Sequence, residues 1–245
     1  MRAMVLAAGL GTRLRPLTNE RPKALVEAGG RTMLEITLTR LREFGVRDVI
    51  VNAHHFADML IDYLRSNSFE MNIEISREDV LLDTGGGLKK AAWFFQGSDE
   101  PFVLHNVDLL SSIDLGRMAE FHRAHDALAT LAVQERPSSR HLLFDDRLGL
   151  CGRRTEGYTS AEIVRPATEL TPLAFAGIHV ISPRIFERMT EEGAFSIITS
   201  YLRLASEAER IVAFRADKYY WRDMGNLESL RTAEEDIRKG MLHAS

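Results

Sequence analysis

The chain has 245 residues, 45% of them hydrophobic and 27% charged, which is the composition of a globular protein with enough apolar residues to bury a full core. The net charge of −4 gives no electrostatic reason to expect a nucleic-acid or membrane-surface partner, and no apolar run reaches the length of a membrane span. The single cysteine, Cys151, excludes an internal disulfide bond and is compatible with a reducing compartment, so we predict a cytoplasmic protein.

Strand and helix patterns alternate through the first half of the chain. The predicted strands cover residues 2–7, 48–52, 71–76 and 102–105, and the predicted helices cover residues 32–44, 56–65, 86–95 and 115–125. Thr32 and Glu35 form a possible capping box at the start of the first helix. The order predicts an α/β fold with a parallel sheet and helices on both faces. Because ligands bind at the carboxyl ends of such strands, the loops after Ala7, Ser76 and His105 should share one edge.

The second half is less regular. Strands are predicted over residues 128–133, 142–144, 148–153, 174–181, 211–214 and 219–221, and helices over residues 183–189, 197–207 and 227–239. Residues 154–171 are polar and unpatterned and are predicted to be mostly loop. We expect this half to extend the sheet and to cover the edge of the first half, so that residues 1–245 form a single domain.

The stretch from Met4 to Leu25 contains the most specific motif of the chain. An apolar strand ends in Gly9 and Gly11, and Arg13 and Lys23 follow. A strand that runs into a glycine-rich turn leaves outward-facing backbone N–H groups, which with nearby cations form an anion-binding concavity. We expect glycine here because a Cβ atom would block close approach to a phosphate. The dinucleotide fingerprint fails because Leu14 replaces its third glycine, and no Walker loop is present.

The motif A-A-G-L-G-T-R-L-R-P-L-T followed by R-P-K-A-L resembles the signature of the sugar-1-phosphate nucleotidylyltransferases. The resemblance implies a Rossmann-like, mixed but mostly parallel sheet, and a Mg²⁺-dependent reaction of a nucleoside triphosphate with a sugar 1-phosphate. Arg13 and Lys23 would then be catalytic, and the nucleotide would bind at Ala7, Ala8, Gly9, Gly11 and Thr12. The alternative is a tight turn whose arginines are merely solvated.

Two aspartates are predicted to hold the metal. Asp108 follows a strand at the ligand-binding edge, where the family usually carries Gly-Asp and this chain carries Val107 before the aspartate. Valine does not tolerate a positive φ, which puts the local turn in doubt. Asp223 lies in W-R-D-M-G-N, similar to the family's W-x-D-x-G-T with Asn226 in place of threonine. Two carboxylates with phosphate oxygens suit Mg²⁺, and the alternative role for each aspartate is a helix cap.

The segment L-D-T-G-G-G-L-K at residues 82–89 resembles the N-acetylmuramate-1-phosphate uridylyltransferase branch of the family. The resemblance implies that Thr84, Gly85 and Gly86 contact the nucleobase, with a flat base lying against backbone. A uracil presents an N3–H donor between two carbonyl acceptors, which backbone groups can match, so we predict UTP as the preferred triphosphate. The alternative is a flexible loop capped by Thr84.

The sugar phosphate is predicted to lie near Asn106, Arg165 and Gly177. Val164-Arg165-Pro166 stands where many members carry Glu-Lys-Pro, at the family's spacing before the strand glycine Gly177. Arginine can bind a phosphate bidentately, although a solvated loop arginine is an equal alternative. His54 and Asn52, near the same edge, are candidates either for the sugar pocket or for a structural role.

Two other functions fit the same residues. One is a cytidylyltransferase acting on a phosphocholine-like substrate, and the other is a non-catalytic module that binds a nucleotide sugar. The substitutions at Val107, Val164 and Asn226 favour the module. The joint presence of Arg13, Lys23 and the two aspartates favours a nucleotidylyltransferase instead.

Overall fold

The structure is a computed structural model that describes residues 1–158 and 160–241. The first half alternates strands and helices as predicted, with small shifts of the element ends. Its strands are β1 (Arg2–Leu6), β2 (Glu27–Ala28), β3 (Arg31–Thr32), β4 (Asp48–Ala53), β5 (Asn72–Arg77), β6 (Phe102–Asn106) and β7 (Leu109–Ser111). Its α-helices are α1 (Met33–Glu43), α2 (Ala57–Ser66), α3 (Asp83–Lys90) and α4 (Leu115–Ala124). The short strands β2, β3 and β7 were not predicted.

Among its described residues, the second half contains further strands and three α-helices. The strands are β8 (Ala129–Gln134), β9 (Arg140–Phe144), β10 (Leu150–Thr155), β11 (Glu162–Ile163), β12 (Thr171–Ile181), β13 (Ile211–Arg215) and β14 (Trp221–Asp223). The helices are α5 (Ile185–Arg188), α6 (Ile197–Ser206) and α7 (Leu227–Arg238). Within 154–171 the described residues, which exclude Thr159, are mostly loop as predicted. No helix in the described part of the chain is long and apolar enough to cross a membrane.

One mixed sheet organises the molecule. Its strand order is β11-β10-β9-β12-β6-β1-β4-β5, and β8 pairs with both β12 and β13. Strands β1, β4, β5 and β6 are parallel, whereas β12 runs antiparallel to β6. Leu6, Asn52 and Asn106 lie in register, so these three strands end at the same edge. The predicted Rossmann-like, mostly parallel sheet is confirmed.

Helices cover both faces of this sheet. In β1, Ala3 and Val5 join the hydrophobic cluster that contains α1 and α2, and Met4 joins the cluster that contains α6. All three side chains are fully buried. A strand buried on both faces reads as a continuous apolar run, which explains why the sequence near Met4 lacks polar alternation.

Helix α1 begins with the predicted capping box. The Thr32 hydroxyl accepts a hydrogen bond from the Glu35 amide at 3.1 Å, and the Glu35 carboxylate accepts one from the Thr32 amide at 2.7 Å. Both interactions satisfy N–H groups that the first helical turn leaves without a partner. The box also fixes where the chain turns from β3 into α1.

Replacing Thr32 with alanine should lower the free energy of unfolding by about 1 kcal/mol, because the cap is lost. Thr39→Ala is the matched control, since it lies inside the same helix, where alanine is the better helix former. Chemical denaturation followed by circular dichroism measures both variants. Equal stability of the two variants would contradict a contribution from the cap.

Candidate active site

The loop after β1 lies at the edge where the parallel strands end. Gly9 is exposed, and a Cβ atom added there would meet no atom within 4 Å. Gly11 differs, because its φ is 63° and a Cβ atom would lie 2.9 Å from Thr18 Cγ2 and 3.1 Å from Lys23 Cβ. The expectation that glycine leaves the backbone accessible to a phosphate therefore fits Gly9. At Gly11, glycine is needed because the backbone is left-handed and packs against Thr18 and Lys23.

A buried amide and carboxylate anchor this loop. Asn52 Oδ1 accepts hydrogen bonds from the backbone amides of Ala7 at 2.6 Å and Ala8 at 3.3 Å. Asn52 Nδ2 donates to Glu78 Oε1 at 2.7 Å, and Glu78 Oε2 accepts from the Leu82 amide at 3.0 Å. Asn52 and Glu78 are each only 2% exposed. Asn52 thus has the structural role, and the Ala7 and Ala8 N–H groups are already bonded within the protein.

Lys23 and Asp108 form a largely buried ion pair beside this loop. The main chain around Asp108 continues the sheet, because the Val107 amide donates to the Leu6 carbonyl at 3.2 Å. Val107 is buried and does not adopt a positive φ. The valine in place of the family's glycine is therefore accommodated without backbone strain.

Pairing of β7 with β14 brings the second aspartate to the first. These strands are antiparallel, and Asp223 lies opposite Leu109, the neighbour of Asp108. The Met224 amide also donates to the Asp108 carbonyl at 2.8 Å. A Cβ atom built on Gly225 would lie 2.6 Å from Asp223 Oδ1, 2.8 Å from Arg13 Nη2 and 2.9 Å from Asp108 Oδ2. Two carboxylates and a guanidinium therefore converge on one point above Gly225.

The two carboxylates of this cluster lie close together, so their negative charges repel each other. Burial and then the charge of Asp108 raise the pKa of Asp223, while the Gly225 amide and the charges of Lys23 and Arg13 act in the opposite direction. The Gly225 amide donates to Asp223 Oδ1 at 2.5 Å. Arg13 Nη2 lies 3.7 Å from Asp223 Oδ2, and its side chain is 63% exposed. Cations on either side thus hold the acid pair in place.

The donor set of this cluster fits Mg²⁺ rather than a metal enclosed by protein. No group of three or more His, Cys, Asp or Glu residues with metal-binding geometry occurs in residues 1–158 and 160–241. Mg²⁺ commonly binds one or two carboxylates together with substrate phosphates and water. Asn226 caps α7 by accepting from the Ser229 amide at 2.9 Å, which leaves Asp223 free of that duty.

The glycines at the start of α3 are needed for packing, which the sequence did not indicate. The amides of Gly85 and Gly86 donate to the Phe195 carbonyl at 2.9 and 3.3 Å, and Thr84 Oγ1 accepts from the Ile197 amide. A Cβ atom on Gly85 would lie 2.3 Å from the Phe195 ring. These glycines let α3 pack closely against the segment before α6. Base binding by Thr84, Gly85 and Gly86 stays a prediction. It would have to use atoms other than the Gly85 and Gly86 amides and Thr84 Oγ1, which are already hydrogen-bonded within the protein.

The predicted sugar-phosphate residues do not all meet. Gly177, with a φ of 72°, lies against Asn106, because a Cβ atom there would be 2.8 Å from Asn106 Nδ2. Both lie at the sheet edge beside Asp108. Arg165 instead packs on the turn between β9 and β10, where its Nη2 atom lies 2.6 Å from Asp145 Oδ2. Its guanidinium is thus paired with Asp145 and not with either aspartate of the acid cluster.

An arginine that the sequence did not single out lies close to the cluster. The Arg136 guanidinium carbon lies 3.8 Å from the centre of the Trp221 ring, two residues before Asp223. Arg136 Nη2 donates to the Phe175 carbonyl at 3.0 Å, and Trp221 Nε1 donates to the Ala176 carbonyl at 2.7 Å. The sequence around it, E-R-P, carries no motif. Only the pairing of distant strands reveals this position.

Comparison with known proteins agrees with this geometry. The family model "Nucleotidyl transferase" matches residues 2–240. The N-acetylmuramate alpha-1-phosphate uridylyltransferase of Caulobacter vibrioides is 35% identical over 95% of both chains. The mannose-1-phosphate guanyltransferase of Candida albicans is 28% identical over 92% of this chain, which spans 61% of that relative. HddC from Yersinia pseudotuberculosis, 23% identical, shares the fold with a TM-score of 0.78 over 96% of this chain and 99% of HddC. The chain therefore belongs to the nucleotidyl transferase family, among the sugar-1-phosphate nucleotidyltransferases that its N-terminal motif resembles.

Proposed function

We propose that the protein transfers a nucleotidyl group from a nucleoside triphosphate, preferably UTP, to a sugar 1-phosphate in a Mg²⁺-dependent step of nucleotide-sugar biosynthesis. The observation that carries the proposal is the convergence of Asp108, Asp223, Arg13 and Lys23 at the edge formed by the motif loop. We further infer a single catalytic domain over residues 1–245, which the match of the family model to residues 2–240 supports. We place the protein in the cytoplasm because its single cysteine is compatible with a reducing compartment.

The reaction needs positioning and charge neutralisation more than proton transfer. A phosphate oxygen of the sugar 1-phosphate forms a bond to the α-phosphorus of the triphosphate, and the bond from that phosphorus to the oxygen bridging to the β-phosphate breaks. Pyrophosphate leaves with the electron pair, and a nucleoside-diphosphate sugar forms. Because the attacking oxygen is already an anion, no general base is required.

Each of the four charged residues has its own role in binding the metal or the phosphates. Asp108 and Asp223 would hold Mg²⁺, which when bound neutralises charge on the triphosphate. Lys23, paired with Asp108 in the structure, would turn its ammonium group to the triphosphate. Arg13 is exposed and weakly paired, so its guanidinium is free to bind the departing pyrophosphate.

The remaining contacts are proposed from the motifs. The nucleotide would lie along Gly9 and the segments containing Ala7, Ala8, Gly11, Thr12, Thr84, Gly85 and Gly86. The sugar phosphate would lie by Asn106 and Gly177, whereas Arg165 would have to leave Asp145 to reach it. The preference for UTP rests on the resemblance of residues 82–89 to the uridylyltransferase branch and on the 35% identical uridylyltransferase. The two alternative functions gain no support, because both curated relatives described above are named for sugar 1-phosphates.

Pyrophosphate release with Mg²⁺ tests the function directly. The substrates are UTP, dTTP, CTP and GTP, each with N-acetylmuramate 1-phosphate, mannose 1-phosphate, glucose 1-phosphate or phosphocholine. We expect turnover only with sugar 1-phosphates and the highest kcat/KM with UTP. If kcat/KM for GTP exceeds that for UTP by about tenfold, or about 1.4 kcal/mol, the proposed base preference is wrong. Turnover with phosphocholine alone would contradict the proposed acceptor.

Asp223→Asn should reduce kcat by roughly a hundredfold or more, because one metal-binding carboxylate is lost. The variant should also unfold at a higher temperature at pH 7. The raised pKa of Asp223 means that its ionised form is disfavoured in the fold, so this carboxylate costs stability above that pKa. Asp108→Asn should lose turnover too, but it leaves Lys23 without its partner and should not gain stability.

Asp114→Asn is the matched control for both metal-site variants. Asp114 caps α4, a task that asparagine performs equally well, and it lies outside the cluster. Its turnover and melting temperature should equal those of the wild type. Near-normal turnover of Asp108→Asn or Asp223→Asn at saturating Mg²⁺ would remove that aspartate from the site.

Arg13→Ala should lower kcat by roughly a hundredfold while changing the KM for the triphosphate less, because the guanidinium matters most as pyrophosphate departs. Arg15→Ala, on an exposed arginine of the same loop, is the control. Steady-state kinetics with varied triphosphate separates the two constants. An unchanged kcat with a raised KM would show that Arg13 binds only the ground state.

A further inference from the structure

Arg136 is a partly buried cation that forms no ion pair with an acidic side chain in the described part of the chain. Both acceptors that the described residues offer it are backbone carbonyls, those of Phe175 at 3.0 Å and Pro137 at 3.4 Å. Its Nε atom is buried and donates to no acceptor within residues 1–158 and 160–241. Since a guanidinium carries five donors, most of its hydrogen-bonding capacity is unused. A buried charge is costly unless it is paired, so this position is suited to an anionic ligand.

The stacking of Arg136 on Trp221 fixes its orientation. The guanidinium carbon lies 3.8 Å from the ring centre, a distance typical of a strong cation–π contact. Burial lowers the pKa of this guanidinium and the charge of Asp223 raises it, and an arginine stays protonated at neutral pH in either case. Stacking occupies a face of the planar group, and each of its two terminal nitrogens keeps one N–H that no hydrogen bond within the described residues uses. These two N–H groups can donate to phosphate oxygens.

Arg136 lies between two elements that the reaction must bring together. Phe175, which accepts its hydrogen bond, belongs to β12 and precedes Gly177 at the predicted sugar edge. Trp221, on which it stacks, belongs to β14 and precedes Asp223 at the predicted metal site. The attacking phosphate of the sugar has to lie next to both. Arg13 and Lys23 contact the acid cluster itself and are assigned to the triphosphate.

The other arginines near the edge are less suited to this role. Arg165 already has an acidic partner, because its Nη2 atom lies 2.6 Å from Asp145 Oδ2. Arg140 and Arg154 are exposed side chains that line an open cavity of about 530 Å³ with His141 and Tyr158. A solvated cation contributes less to binding than one held in a partly buried, stacked position.

We propose that Arg136 binds the phosphate group of the acceptor sugar 1-phosphate, and that it supplies the cation the sequence assigned to Arg165. This inference rests on the proposed nucleotidyl transfer and names a binding residue for its second substrate. It also gives a reason for the tryptophan of the W-R-D-M-G-N motif, which holds the guanidinium next to the metal aspartate.

The test uses the 245-residue chain and measures pyrophosphate release with UTP and N-acetylmuramate 1-phosphate, each varied in turn. Arg136→Met should raise the KM for the sugar 1-phosphate by about tenfold or more and leave the KM for UTP within about twofold. Arg136→Lys keeps the charge without the bidentate geometry and should show a smaller, equally selective rise. Guanidinium ion added at millimolar concentration should partly restore the activity of Arg136→Ala.

Arg154→Met is the matched control and should leave both KM values unchanged, and melting temperatures are measured for every variant. Equal rises in both KM values for Arg136→Met, together with no rescue by guanidinium ion, would show a purely structural role and overturn the proposal. A selective rise for Arg165→Met but not for Arg136→Met or Arg136→Lys would also overturn it. Absence of turnover by the wild type with every sugar 1-phosphate would instead contradict the proposed function.

Discussion

The mutual repulsion of Asp108 and Asp223 is the constraint around which the site is built. Burial and then the charge of Asp108 raise the pKa of Asp223, and the fold tolerates the two acids because Lys23 and Arg13 lie beside them. Such a pair is unfavourable in the free protein and becomes favourable when a divalent cation and a triphosphate bind. The proposed binding step would therefore be an exchange of partners: Asp108 and Asp223 would hold the cation, and Lys23 would turn from Asp108 to the phosphates. Part of the stability of the free protein is given up for this arrangement, as is common at functional sites.

Two buried connections hold the parts of the site in register. The β7–β14 pairing and the Met224–Asp108 backbone hydrogen bond fix the two aspartates relative to each other. The Asn52–Glu78 pair joins the loop after β1 to the segment before α3 through groups that are almost fully buried. The predicted triphosphate and base contacts are therefore supported by one hydrogen-bond network. Positioning of this kind is what a reaction without a general base requires from its protein.

Local patterns in the sequence predicted most of the fold and the residue types of the site. Buried strands, the Thr32–Glu35 capping box and the N-terminal motif all depend on neighbouring residues, and the first two are confirmed by the structure. Features that depend on distant pairing were missed: β7, which brings Asp223 to Asp108, and the position of Arg136 on Trp221. The packing that requires glycine at Gly11 and Gly85 was not predicted, because it depends on Thr18 in the folded loop and on Phe195 far along the chain. Arg165 was predicted to bind the sugar phosphate because it lies at the family's spacing before Gly177. That spacing gives no information on Asp145, which pairs with Arg165 in the structure.

The exchange of partners at Asp108 is the central claim, and a crystal structure of the protein with Mg²⁺ and a non-hydrolysable UTP analogue tests it most directly. We expect one metal ion bound by carboxylate oxygens of both Asp108 and Asp223 together with phosphate oxygens. We also expect the Lys23 ammonium group to have moved from Asp108 to the triphosphate. A metal bound by the phosphates without either aspartate, or an intact Lys23–Asp108 ion pair beside the bound nucleotide, would show that this exchange of partners does not occur.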